Sequence, residues 1–210
     1  MFSSRLKYFL AVVPFLAMTS VPMHATTILS DNFDSLTAAL DVTTAGDFST
    51  LGGTNVDIVG PANGYGGLCA APESGNCVDL GGTGGNPYGQ LGLTTELNLA
   101  AGTYDLAFDL VGSGRDLTTT TLVTFGSYSQ SFTLASDDTT DGIVNVDVAI
   151  SGGTTQLEFV DESSPNGNIG ALLDNVSIST VSAVPEPSSL MLLGTGILGA
   201  AAMMRRRLTA

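Results

Sequence analysis

The chain contains no tryptophan, one histidine and, away from its two ends, one basic residue. Each scarcity excludes something. His24 lies within the first 25 residues and Lys7 is the sole lysine. The rest of the chain therefore has no base or amine for Ser-His-Asp, Cys-His or lysine-nucleophile chemistry. Arg5 and Lys7 stand at the start, Arg205, Arg206 and Arg207 at the end, and only Arg115 between them. One cation over that length cannot displace counterions from a phosphate backbone, so nucleic acid is excluded as a partner. Cysteine is limited to Cys69 and Cys77, and a thiolate metal site lacks a third Cys or a His to complete it.

The middle is rich in acid instead. Nineteen of the 20 Asp and Glu lie between Thr26 and Val184 against Arg115 alone, a formal charge of −18 for that stretch. Such a body repels anionic surfaces, stays soluble and attracts cations, Ca2+ above all. It is no disordered acidic tail, because Val, Ile, Leu, Thr and Phe recur in short alternating runs. The 210 residues leave room for one domain plus targeting segments.

Residues 1–25 read as a secretory signal peptide. Arg5 and Lys7 form a positive start, Tyr8 to Met18 an apolar stretch broken only by Pro14, and Ala25 a small-residue stop. Met23 is bulky for the third position before the cut. An uncleaved anchor is the alternative, and the shortness of the apolar run argues against it.

At the far end, Val184-Pro185-Glu186-Pro187 can continue neither strand nor helix, since its two prolines fix φ and remove donors. Residues 188–204 are apolar with small side chains interspersed. As a transmembrane helix they would measure roughly 25 Å, barely enough to span a bilayer core. Arg205, Arg206 and Arg207 would hold the C-terminus in the cytoplasm, leaving the body outside. Pro-Glu-Pro, a short apolar helix and an arginine cluster in this order resemble the PEP-CTERM sorting signal of Gram-negative bacteria, over residues 183–207. The resemblance implies an exosortase as partner, a membrane transpeptidase-like enzyme. It would remove the tail after a transient stay in the inner membrane and release the body to the cell surface or extracellular polymer. A permanent single-pass anchor is the alternative.

The body, residues 26–182, reads as strands. In Thr103 to Leu110, Tyr104, Leu106, Phe108 and Leu110 face one way and Asp105 and Asp109 the other. Ile143 to Ile150 alternates likewise. Shorter runs are Asn55 to Val59, Cys77 to Leu80, Leu91 to Leu99, Thr120 to Phe125, Ser131 to Leu134, Gln156 to Val160 and Leu172 to Ile178. Gly-rich turns separate them, and Asp34 to Val42 is the one expected helix. Many short strands imply an all-β fold, an antiparallel β-sandwich of jelly-roll or immunoglobulin type. Asp31-Asn32-Phe33-Asp34, Val78-Asp79-Leu80, Gly102 to Phe108 and Leu172-Leu173-Asp174-Asn175-Val176, in this order, resemble the galactose-binding-like jelly rolls of secreted bacterial proteins.

Several residues are candidates for a site. Cys69 and Cys77, in an exported chain, are expected to form a disulfide. The period of Leu172 to Ile178 sets Asp174 on the face of Leu172, Val176 and Ile178, where a carboxylate is costly unless paired or metal-bound. The jelly-roll resemblance implies a structural Ca2+ between first and last strands, held by Asp174 with Asp31 and Asp34. The alternative is an Asp that accepts backbone N–H bonds. Asp137 to Gly142 has Val148 where a calcium loop needs a bidentate Glu, and reads as a solvated turn. Tyr65 and Tyr88, in Gly-rich loops, are the candidates for carbohydrate contact. Paired surface acids such as Asp105 and Asp109 are too plentiful here to mark a glycosidase. The sequence therefore points to a non-catalytic structural or interaction protein of the cell surface or matrix. A Ca2+-dependent module for extracellular polysaccharide is the competing reading.

Overall fold

The computed structural model describes residues 25–69, 75–84, 90–93, 96–140, 142–163, 168–181, 194–199, 201 and 204–205. The chain divides into two units, Ala25–Ser182 and the two ends, Met1–His24 with Ala183–Ala210. Of the second unit, residues 194–199 are helical. No helix among the described residues is long and apolar enough to cross a membrane. The expected signal peptide, apart from Ala25, and most of residues 188–204 lie outside the described residues.

The first unit is an antiparallel β-sandwich. Its strands are β1 (Thr27–Asp31), β2 (Ala39–Val42), β3 (Thr44–Ala45), β4 (Phe48–Thr50), β5 (Val56–Val59), β6 (Cys77–Asp79), β7 (Gln90–Leu93) and β8 (Leu97–Leu99). There follow β9 (Gly102–Val111), β10 (Thr119–Phe125), β11 (Tyr128–Leu134), β12 (Ile143–Ile150), β13 (Gly153–Thr155), β14 (Leu157–Asp161) and β15 (Leu172–Thr180). One sheet has the order β12-β9-β15-β6-β5-β2, with β1 also paired to β15. The facing sheet runs β11-β10-β14-β7-β4-β3, and β13 pairs with β8 in a small third sheet.

Alternation drives this arrangement. Tyr104, Leu106, Phe108 and Leu110 of β9 are buried, while Asp105, Ala107 and Asp109 between them are half-exposed. Thr121, Val123 and Phe125 of β10 and Leu157 and Phe159 of β14 supply the opposing layer. A chain of edge-on and tilted rings crosses the core. Phe33 lies 6.0 Å from Phe48, Phe48 6.2 Å from Phe159, Phe159 5.3 Å from Phe108, and Phe108 5.7 Å from Phe132. Such pairs add stabilisation beyond the area they bury.

Three expectations need correction. Asp34 to Val42 is no helix. Asp31 Oδ1 accepts the Phe33 N–H and Asn32 Oδ1 the Asp34 N–H, side-chain turns that compete with helical bonds. Phe33 is left-handed at φ 56°, and β2 then pairs with β5. Leu91 to Leu99 is two strands in different sheets, β7 and β8. In β15 a bulge inserts one residue. Asp174 stands opposite Asp109 of β9, but Ser177 stands opposite Ala107, and Asn175 takes φ 51°. Val176 and Ile178 therefore join Leu173 in the core. Leu172 belongs to a separate outer cluster with Val59, Cys69, Cys77 and Val111. Asp174 leaves the apolar face to which strict alternation assigns it.

Candidate functional site

The chain enters and leaves the sandwich at one place. The Thr26 N–H donates to Thr180 Oγ1 at 2.9 Å, and the Thr180 N–H to the Thr26 carbonyl at 2.9 Å. The Val181 N–H reaches the Thr103 carbonyl at 3.4 Å. Pairing of β1 with β15 thus sets the start of the body beside the point where the tail departs. Of the tail, Val184, Pro185, Glu186, Pro187, Arg206 and Arg207 lie outside the described residues, and Arg205 is exposed and helical.

Cys69 and Cys77 form the expected disulfide, with Cα atoms 5.6 Å apart. The bridge fastens the loop after β5 against Val59, Val111 and Leu172.

Asp31, Asp34 and Asp174 are not gathered into a metal site. Asp31 accepts N–H bonds from Phe33 at 2.9 Å and Asp47 at 3.1 Å. Asp34 accepts from the Asn76 N–H at 3.1 Å and from Asn32 Nδ2 at 2.8 Å. Asp174 Oδ1 takes the Asn175 N–H at 2.7 Å. Among the described residues no three His, Cys, Asp or Glu converge as a metal site. Each of the three carboxylates accepts at least one backbone N–H, and Asp34 also accepts the Asn32 side-chain amide. Tyr65 is 36% exposed in its Gly-rich loop, and Tyr88 lies outside the described residues.

Sequence pattern alone did not reveal a heavily bonded polar centre. Asp79, at the end of β6, is fully buried. Its Oδ1 accepts the N–H of Gly81 at 3.0 Å and of Gly170 at 2.8 Å, and its Oδ2 pairs with Arg115 Nη2. Arg115 Nη1 also donates to the Asn168 carbonyl at 3.4 Å. Three connections are pinned together here: those after β6, β9 and β14. Gly81 and Gly170 pack so closely that a Cβ on either would lie 2.3 or 2.1 Å from the other's backbone. Burial pushes the Asp79 carboxyl up to about 6, with Arg115 and the two N–H donors opposing the rise. Asp57, directly opposite Asp79 on β5, is satisfied differently, by the N–H groups of Asp41 at 2.7 Å and Thr83 at 3.1 Å and by the Thr83 hydroxyl. The signal in the sequence was Arg115 itself: a lone cation in an acidic body has a carboxylate to meet.

Fold and tail together define the class, an antiparallel β-sandwich carrying a C-terminal sorting segment. Residues 183–207 match the PEP-CTERM protein-sorting motif. No curated protein matches the chain in sequence. The body is similar in fold to a family 35 carbohydrate-binding module from Clostridium thermocellum, at 14% identity and TM-score 0.42 over 74% of this chain and 98% of that one. It is similar also to the CBM22-1 xylan-binding domain from Paenibacillus barcinonensis, at 14% and 0.48 over 78% and 100%. The K1 cleaved adhesin domain of Lys-gingipain from Porphyromonas gingivalis aligns at 19% and 0.46 over 74% and 98%.

Proposed function

We propose that this is an exported, non-catalytic sandwich of the cell surface or extracellular matrix, whose C-terminal tag is processed by an exosortase. The sorting motif at 183–207 carries this reading. Supporting it, Thr26 and Thr180 exchange two hydrogen bonds, so the first and last strands of the sandwich end together. A body with Arg115 as its only cation, no lysine and no histidine supports a non-catalytic role. Deleting the exosortase tests the proposal. The protein is then expected to keep its tail and remain with the membrane; unchanged release would contradict it.

Ca2+-dependent binding of extracellular polysaccharide is the second reading, supported by the exposure of Tyr65 and the acidity of the body. A glycan array with the purified protein, with and without Ca2+, separates the two. Binding that needs Ca2+ and is lost in Tyr65→Ala favours the second; no binding in either condition sinks it.

A further inference from the structure

One edge of the larger sheet is formed by a long, regular strand. β12 is the terminal strand, and its register against β9 is unbroken from Ile143 to Ile150. Backbone groups of alternate residues in an antiparallel strand point to opposite sides. The Gly142 carbonyl accepts the Leu110 N–H just beyond the end of this ladder, so the even-numbered residues face β9. The Ala149 carbonyl is met from outside by the Ser127 hydroxyl at 3.0 Å. Asn145 and Asp147 therefore turn their N–H and C=O groups outward, where the described residues offer them no partner. Such an edge is usually guarded by charge, proline or a bulge; β12 has no lysine, proline or bulge, and its one charged residue is the acidic Asp147.

The side chains add a charge preference. Asp147 is exposed and stands directly opposite Asp105, a like-charge pair that destabilises the ladder. Asp105 Oδ1 is buried with no hydrogen-bond partner among the described residues. On the other face Val144 and Val146 are half-buried at the rim of the core. Ile143, where the strand begins, is 55% exposed.

We propose that β12 receives an extended basic segment of another polypeptide as an added strand. Its main chain would pair with Asn145 and Asp147. Its Lys or Arg side chains, at alternate positions, would meet Asp147 and Asp105, and its apolar residues would cover Val144 and Val146. A second copy of this chain fits poorly, because its own β12 would bring another Asp147 and no cation.

The test uses an eight-residue synthetic peptide alternating Lys and Val, a Glu/Val peptide as control, and the purified exported protein. Amide exchange is read at Asn145 and Asp147. The Lys/Val peptide is expected to slow both amides at least tenfold and the Glu/Val peptide to leave them unchanged. Asn145→Pro removes an outward N–H that the sheet does not use; it should abolish protection without changing Tm. Asp147→Lys should exchange the preference between peptides, and this arm stands even if the proline variant fails to fold. Equal protection by both peptides, protection by neither, or protection that survives Asn145→Pro would overturn the proposal. So would a dimer forming through β12 without peptide, which would make a second copy the occupant.

Discussion

Burial holds the Asp79 carboxyl at about 6 although Arg115, Gly81 and Gly170 all favour its ionised form. The folded value lies above the ordinary 3.8, so the folded state takes up a proton that the unfolded chain releases. This contribution to stability is complete below about pH 4 and is lost as pH rises through about 6; the shift corresponds to about 3 kcal/mol. Burial likewise raises Asp161, with the same sign. Urea unfolding should therefore show the protein more stable at pH 5 than at pH 7.5. Arg115→Ala strips the buried carboxylate of its cation. Its cost should be on the order of 2–4 kcal/mol at pH 7.5 and should shrink at pH 5, where Asp79 is neutral without help. A loss independent of pH would show that Arg115 acts through packing alone.

Among the elements, β9 and β12 were legible because strict alternation is what a half-buried antiparallel strand requires, and their ends were placed within a residue or two. The short strands β2 to β4 were not, because two to four residues carry no readable period. The expected helix at Asp34 failed on a left-handed Phe33, a state disfavoured for a bulky residue and sustained here by its buried ring and the Asp31 bond. The β15 bulge defeated the reading of Asp174, since one inserted residue reverses the face of everything beyond it. The disulfide was legible from cysteine number and compartment alone. Replacing Cys69 and Cys77 together by serine should lower the unfolding free energy by about 2–3 kcal/mol in denaturant melts. An unchanged midpoint would mean that the loop is held by Val59, Val111 and Leu172 without it.

Across the whole molecule, charge and connectivity describe one design. Five of the six basic residues lie within the first seven residues or at 205–207, so the stretch from Thr26 to Val184 carries about −18 and repels anionic surfaces. Pairing of β1 with β15 sets the first strand of the sandwich beside the last. Among the described residues every strand lies between Thr27 and Thr180.

Intact-mass spectrometry of the mature protein from normal cells tests the central claim, tail processing, most directly. The expected mass lacks residue 190 and everything after it; a mature protein that retains this segment would contradict tail removal.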